Sequence, residues 1–174
     1  MSTLTSTYQY RTIPASVAAG LRERDDAGQT REPFTDAEGG APLRCCLTRS
    51  RIGERIVLVS YAPLRRWAEE HGASPGAYDE VGPVFLHADG CEGPRHDGFP
   101  AELVSARRVF RGYDSRGHIV GGRLVSPAPG HAEEVAAAAL DDLFADPAVE
   151  VVHVRAVEFG CFLTEVRRPV RRPV

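Results

Sequence analysis

The sequence has no lysine and no asparagine, so every permanently positive side chain is an arginine. Without lysine, the protein cannot form a Schiff base, a phosphate-loop lysine site or a Ser-Lys dyad. Without asparagine, it cannot form the Cys-His-Asn arrangement of papain-like proteases. These absences exclude several common catalytic mechanisms.

Familiar enzyme motifs are missing as well. The chain contains no HExxH or GxGxxG motif and no phosphate loop. It also has no CxxC pair, which argues against a zinc ribbon and against a thioredoxin-like redox site. The cysteines and histidines that are present favour thiol chemistry or metal binding instead.

Composition indicates an ordinary globular domain. The chain has 174 residues, of which 43% are hydrophobic and 26% charged, and its net charge of -3 offers no basic surface for a nucleic acid. The N-terminus lacks a basic start followed by an apolar core, and no run approaches the roughly 20 apolar residues of a membrane span. We therefore expect a cytoplasmic protein without a membrane or nucleic-acid partner, whose cysteines are free thiols or ligands rather than disulfides.

Hydrophobic periodicity predicts mixed helices and strands, and the hairpin-like connections favour an α+β fold over a doubly wound one. We expect a single globular domain over 1–167, with a mostly antiparallel mixed sheet and two or three helices packed on it. A loop excursion is predicted at 25–42, and an Arg/Pro-rich, solvated tail at 168–174.

Alternation along the predicted strands places polar side chains on shared faces. His153 and Arg155 share one face of VEVVHVRAV, and Arg111 and Tyr113 share one face of RRVFRGYD. Tyr61 ends one face of RIVLVSY. If these faces line one cleft, the arginines would hold a small anion such as a carboxylate or a phosphate.

The competing interpretation is that the two arginines form ordinary ion pairs within the chain. Arginine on strands is usually solvated or paired with a carboxylate. The candidate acids are Asp114, Glu158 and Glu165.

His87 ends an apolar strand and Cys91 follows across the turn ADG, so both side chains are close enough to bind one metal ion, with zinc as the candidate. Cys45 and Cys46 are adjacent, and in an extended chain they face opposite ways, so at most one of them is expected in a given site. The remaining ligands are sought among Cys46, Cys161, His153 and His96.

Two other roles are open for these residues. Cys91 and Cys161 are alternatively small buried hydrophobic residues. A third option is a thiol activated by His87 or His153, with an arginine that lowers the pKa of the thiol or binds an oxyanion.

Five blocks of the sequence, taken together, resemble one protein family. They are GGAPLRCCL, IVLVSYAPL, GPVFLHADGC, RVFRGYD and VHVRAVEFGCF, in this order. The set is similar to the successive blocks of the bacterial domain of unknown function 1203 family (DUF1203), and the resemblance extends from about Tyr8 to Arg167. The family has no established activity, so the resemblance implies no particular reaction.

The first block departs from the pattern of that family, in which glycine, any residue, proline, cysteine, arginine, any residue, cysteine and leucine follow one another. Leu43 stands here in place of the first cysteine, so a CxxC redox pair or an obligatory metal clip at this point would be lost. The positions that match the family blocks are Arg44, Cys46, Tyr61, Gly82, Pro83, Phe85, His87, Cys91, Arg111, Tyr113, His153, Arg155, Gly160 and Cys161.

Two functions are consistent with the sequence. The first is an enzyme that acts on a small anionic metabolite through a Cys/His site with an arginine anion clamp. Its candidate catalytic residues are His87, His153, Cys161, Cys91 and Tyr113, its substrate-binding residues are Arg111, Arg155, Tyr61 and Arg44, and its candidate metal ligands are Cys46, His87, Cys91 and Cys161. The alternative is a non-catalytic ligand-binding or structural module whose cysteines and histidines are core residues or a structural metal site. A second copy of the chain is a further candidate partner.

Overall fold

The computed structural model describes residues 8–169. Its helices are α1 (Ala15–Glu23), α2 (Pro63–His71), α3 (Ala101–Val104) and α4 (Ala132–Ala145), with a single 3-10 turn at Gly76–Tyr78. Its strands are β1 (Tyr10–Arg11), β2 (Phe34–Thr35), β3 (Pro42–Leu43), β4 (Thr48–Arg49), β5 (Arg55–Tyr61), β6 (Gly82–His87), β7 (Arg108–Tyr113), β8 (Ile119–Val125), β9 (Val151–Ala156) and β10 (Phe162–Arg167).

The first sheet has the order β1-β10-β9-β7-β8 and is antiparallel throughout. Its central strand β9 is buried almost completely, because other elements cover both of its faces. Val152 and Val154 lie in the core that α4 helps to form, and Val151 on the opposite face packs with α2. The side chains that α4 buries are Ala136, Leu140, Leu143 and Phe144, which recur at helical spacing.

The second sheet has the order β2-β5-β6-β3-β4, in which only the β3–β6 pair is parallel. Helix α1 packs against β5 and buries Ala18 and Leu21. These side chains belong to the hydrophobic core of the second sheet, which is distinct from the core that α4 helps to form. Helix α2 begins at a proline and ends at Gly72, which has a φ of 67° that glycine adopts without a Cβ penalty. Trp67 of α2 is buried.

Arg44 and Phe162 join the two sheets. The ring of Phe162, at the start of β10, lies in the core of the second sheet. The guanidinium of Arg44 is buried and donates from Nε to the Phe162 carbonyl at 2.8 Å, and from Nη1 to the carbonyl of Pro42. These contacts hold β3 of one sheet against β10 of the other.

Asp25 organises the start of the predicted loop excursion. Its buried carboxylate accepts hydrogen bonds from the backbone N–H groups of Ala27, Gln29 and Ser60 and from Nε of Arg31. The segment 25–42 contains β2 and reaches the first residue of β3. It is therefore fastened to the second sheet through β5 rather than projecting from it.

The α+β class and the single domain are confirmed, and the structure adds that the strands divide into two sheets. The guanidinium of Arg168, the first residue of the predicted tail, donates to the carbonyls of Val149 and Phe144, so the chain is still held to the domain there. The part of the tail after Pro169 lies outside the described residues. None of the helices in residues 8–169 is long and apolar enough to cross a membrane.

Candidate functional site

Four side chains form a compact thiol–histidine group at one end of the second sheet. The ligand atoms of Cys45, Cys46, His87 and Cys91 all lie within 4.8 Å of one another. Nδ1 of His87 is 3.5 Å from Sγ of Cys45 and 3.9 Å from Sγ of Cys46. Such a group can hold a metal ion.

The β3–β4 turn brings both adjacent cysteines into this group. Residues 44–47 form a tight turn rather than an extended strand, and Leu47 adopts a left-handed φ of 59°. The expectation that at most one of Cys45 and Cys46 joins a given site is therefore wrong, because strand alternation does not apply in a turn. Leu43 replaces the first cysteine of the family pattern, and its side chain is buried in the core rather than directed into the group. The replacement therefore leaves all four members of the group in place.

The end of β6 supplies the other two members. The backbone N–H of His87 lies 3.4 Å from Sγ of Cys45, and its carbonyl accepts a hydrogen bond of 2.9 Å from Nε of Arg22. These contacts fix the backbone on both sides of the imidazole. The turn after β6 then returns Cys91 to the same group, as the spacing between His87 and Cys91 predicts.

Glu54 lies on the far side of the His87 ring. Its Oε1 is 3.5 Å from Nε2 of His87, whereas Nδ1 faces the thiols. A carboxylate in this position orients an imidazole and favours the tautomer that carries its proton on Nε2. Glu54 was not among the residues that the sequence singled out, because no local pattern connects it to His87.

The two adjacent thiols differ in protonation. The hydrogen bond from the Cys45 thiol lowers the pKa of Cys46 to about 5 against the opposing effect of burial, and Oγ1 of Thr48, 3.1 Å from Sγ of Cys46, acts in the same direction. That hydrogen bond, together with burial, raises the pKa of Cys45. Burial also raises the pKa of Cys91. Of the three thiols in the group, Cys46 is therefore the one whose pKa is lowered.

Two clefts reach Cys46 from the surface. The smaller, of about 240 Å³, is also lined by His87, Cys91 and the arginines Arg49, Arg51 and Arg95. The larger, of about 390 Å³, is lined by Arg95 and by His96, a residue that does not belong to the thiol–histidine group. Both clefts also present carboxylates, Glu54 and Glu92 in the smaller and Asp97 and Glu102 in the larger, so Cys46 borders a surface of mixed charge.

His153 and Arg44, two of the predicted site residues, lie inside the protein. The side chain of His153 is fully buried, its Nε2 is 3.1 Å from Oε1 of Glu165, and its ring packs against Tyr113 and Phe162. Arg44 uses its donors on main-chain carbonyls of the core. A substrate cannot reach either side chain in this conformation, so their geometry favours structural roles.

Arg111 and Arg155 hold the two oxygens of one carboxylate, that of Glu80. Nη1 of Arg111 is 3.0 Å from Oε1 of Glu80, and Nη2 of Arg155 is 3.0 Å from Oε2. The three acids named from the sequence pair elsewhere: Asp114 with Arg116, Glu158 with Arg108, and Glu165 with His153. The interpretation that Arg111 and Arg155 form ion pairs within the chain named the correct type of partner, a carboxylate, but did not name Glu80.

An arginine cleft of about 210 Å³ lies beside these ion pairs. It is lined by Arg155 and Glu80 together with Tyr61 and Cys161, which the sequence had also selected. The hydroxyl of Tyr113 accepts a hydrogen bond of 3.4 Å from Nη1 of Arg111. Most of the predicted substrate-binding residues therefore meet here, and Cys161 lies here rather than with Cys91.

The thiol–histidine group and the arginine cleft lie at opposite ends of β6. His87 pairs with Ile56 at one end of the β5–β6 ladder, and Gly82, beside Glu80, pairs with Tyr61 at the other. The six residues of β6 separate these ends by roughly 17 Å at 3.3–3.4 Å per residue. One small metabolite therefore cannot contact both groups at once.

Comparison with known proteins agrees with the sequence resemblance. The family model described as "Protein of unknown function (DUF1203)" matches residues 40–168, a range that includes both the thiol–histidine group and the arginine cleft. No curated protein and no solved structure matches the chain. Because the match spans most of the chain, the protein belongs to the DUF1203 family.

Proposed function

We propose that the protein binds one zinc ion through Cys45, Cys46, His87 and Cys91 and that the metal stabilises the fold around this site. The observation that supports the proposal is the convergence of the four ligand atoms within 4.8 Å of one another. Three cysteines and one histidine are an established ligand set for tetrahedral structural zinc. Thiolate and imidazole ligands also favour zinc over magnesium or calcium.

Glu54 gives independent support to this assignment. Metal-binding histidines usually donate their second ring N–H to a carboxylate or a carbonyl, which fixes the ring and raises its basicity. In the proposed site Nδ1 of His87 binds the metal, and Nε2–H donates to Glu54, whose Oε1 is 3.5 Å away. The carboxylate is thus a positioning group rather than a ligand.

The proposed zinc ion joins two segments that are distant in the sequence. Cys45 and Cys46 belong to the turn between β3 and β4, whereas His87 and Cys91 lie at the end of β6 and beyond it. Such a cross-link restricts the unfolded chain and holds the loop after β6 against the sheet. The function that follows is that of a zinc-stabilised module.

Elemental analysis of the full chain, purified without added metal, tests the proposal. One zinc per chain is expected. Cys46→Ser and Cys91→Ser should lower the zinc content several-fold, whereas Cys161→Ser is a matched control because its thiol lies outside the thiol–histidine group. A wild-type chain that contains no zinc and takes up none in a titration would contradict the proposal.

A second candidate is an enzyme that acts on a small anionic metabolite at the same thiols. The position of Cys46 favours it, because this thiol lines the smaller cleft, which also presents Arg49, Arg51 and Arg95. In this alternative Cys46 is the nucleophile, His87 is the acid or base, and the arginines bind the anion. The anion is then held near the thiols rather than by Arg111 and Arg155.

Thiol alkylation separates the two candidates. If zinc occupies the site, Cys46 should react with iodoacetamide only after a chelator has removed the metal. If Cys46 is a free nucleophile, it should react rapidly at neutral pH in protein that contains no zinc. Peptide mapping of the alkylated chain identifies which cysteine has reacted.

A further inference from the structure

The arginine cleft is the second place where polar groups converge, and it carries an inference that is independent of the zinc site. Arg111 lies on β7 and Arg155 on β9, and the register pairs Val109 with Arg155. The two arginines are therefore diagonal neighbours on one face of the sheet. Both reach the carboxylate of Glu80, which lies outside the strands.

We propose that this cleft is a binding site for a small carboxylate with an apolar body and that the Glu80 carboxylate occupies the anion position until such a ligand displaces it. Two guanidinium groups presented to two carboxylate oxygens are the arrangement by which arginine recognises carboxylates. The anion clamp predicted for Arg111 and Arg155 thus has a resident group, the Glu80 carboxylate, and a class of ligand, small carboxylates.

The charge balance favours a second anion. Arg111 and Arg155 carry two positive charges, and among the described residues they share the single carboxylate of Glu80. The other contacts of these arginines are neutral, since Nη1 of Arg111 donates to the hydroxyl of Tyr113 and Nε of Arg155 donates to the carbonyl of Gly160. The cleft thus keeps a net positive charge while Glu80 is in place.

Glu80 is held in a way that permits displacement. Its side chain is 46% exposed, and it lies in the short connection between the 3-10 turn and β6. Within the described part of the chain, the backbone of Glu80 takes part in no hydrogen bond. The two ion pairs are therefore its main attachment, and solvent reaches them from the exposed Glu80 side.

The lining of the cleft defines the rest of the ligand. Beside Arg155 it presents Tyr61, Pro83 and Phe162, which offer an apolar wall to a ring or a short alkyl chain. Phe159, at its edge, is 82% exposed and is the large apolar side chain that such a ligand would cover. The volume of about 210 Å³ suits a small aryl or alkyl carboxylate rather than a nucleotide.

Calorimetric titration with benzoate tests this proposal, with benzamide as the neutral probe of the same shape. Glu80→Ala should bind benzoate about tenfold more tightly than the wild type, because the clamp is then no longer occupied by the protein itself. Glu80→Gln should give a smaller gain, since an amide oxygen still accepts one hydrogen bond. Benzamide should not gain affinity in either variant.

A double variant, Glu80→Ala with Arg155→Gln, should lose the gain, and thermal unfolding shows that each variant is folded. Alkylation of Cys161 gives a second readout, because this thiol lines the cleft. Benzoate should protect Cys161 from iodoacetamide in Glu80→Ala.

The proposal is overturned if Glu80→Ala binds benzoate no more tightly than the wild type, if benzamide gains equally, or if the gain persists without Arg155. Zinc content does not enter these measurements. The result therefore stands or falls independently of the proposed metal site.

Discussion

The carboxylate of Glu54 and the thiols of the candidate metal centre lie on opposite sides of the His87 imidazole. Oε1 of Glu54 is 3.5 Å from Nε2, while Sγ of Cys45 is 3.5 Å from Nδ1. The ring is thus positioned between an acceptor for its proton and a group of thiols. This arrangement separates an orienting residue from the residues that would bind a metal.

Glu54→Gln should lower the affinity for zinc by about 10- to 100-fold, because the imidazole loses the carboxylate that orients it. The stoichiometry at saturating zinc should stay unchanged, since no ligand has been removed. Competition with a chromophoric chelator measures the affinity. Glu92→Gln is the matched control, because Glu92 lines the same cleft; equal losses in both variants would contradict an orienting role for Glu54.

Removal of zinc should destabilise the protein. A ligand present at 100 to 1,000 times its Kd contributes about 3–4 kcal/mol to the free energy of unfolding. A chelator should therefore lower the thermal unfolding midpoint of the wild type, measured by circular dichroism. The Cys46→Ser variant should show no such dependence on the chelator, and an equal shift in both proteins would argue against a zinc site.

Arg44→Met should reduce the free energy of unfolding by about 2–4 kcal/mol, because the carbonyls of Phe162 and Pro42 would lose their buried donor. Burial lowers the pKa of Arg44 to about 10, so the side chain is still charged at neutral pH. Urea denaturation measures the loss. Arg24→Met, at an exposed position, is the control and should change stability little. Equal stability of the two variants would show that the hydrogen bonds of Arg44 do not stabilise the junction between the sheets.

Acid should weaken the protein through Asp25. Burial alone would raise the pKa of Asp25, but the hydrogen bonds from Ser60, Arg31, Gln29 and Ala27 outweigh it and lower the pKa to about 2. Because the folded-state pKa is depressed, the contribution of roughly 2 kcal/mol is fully present above the ordinary pKa of the carboxyl and is lost as the pH falls from about 4 to 2.

Asp25→Asn should therefore be less stable than the wild type near neutral pH, and the difference should shrink below about pH 4. Urea unfolding at a series of pH values measures it. Asp97→Asn, at an exposed position, is the control. A difference between Asp25→Asn and the wild type that does not depend on pH would assign the effect to packing instead.

Local patterns were sufficient to predict much of the fold. Proline at the start of α2 and glycine after its end define that helix, and the β-branched runs define β5 and β9. These features depend on neighbouring residues, so a local pattern is enough to predict them. The division of the strands into two sheets depends on non-local pairing, which alternation along one strand does not specify.

The candidate site was predicted less completely. The proximity of His87 and Cys91 follows from their spacing across a turn. The pleat predicts that Arg111 shares a face of its strand with Tyr113 and that Arg155 shares one with His153, whereas the register between the two strands does not follow from it. The partners of these residues do not follow, because Cys45 lies in the turn at residues 44–47 and Glu80 in an irregular connection, and neither conformation is set by a local pattern.

The sequence by itself determined which chemistry is accessible: arginine without lysine, thiols without a CxxC pair, and histidine at the end of a buried strand. Tertiary structure alone decided how these groups are distributed. The β5–β6 ladder places the thiols and the paired arginines at opposite ends of one strand, and the turn at residues 44–47 directs two adjacent cysteines to one side. The physical reason is that residue type and spacing act locally, whereas strand register and loop conformation arise from contacts between distant segments.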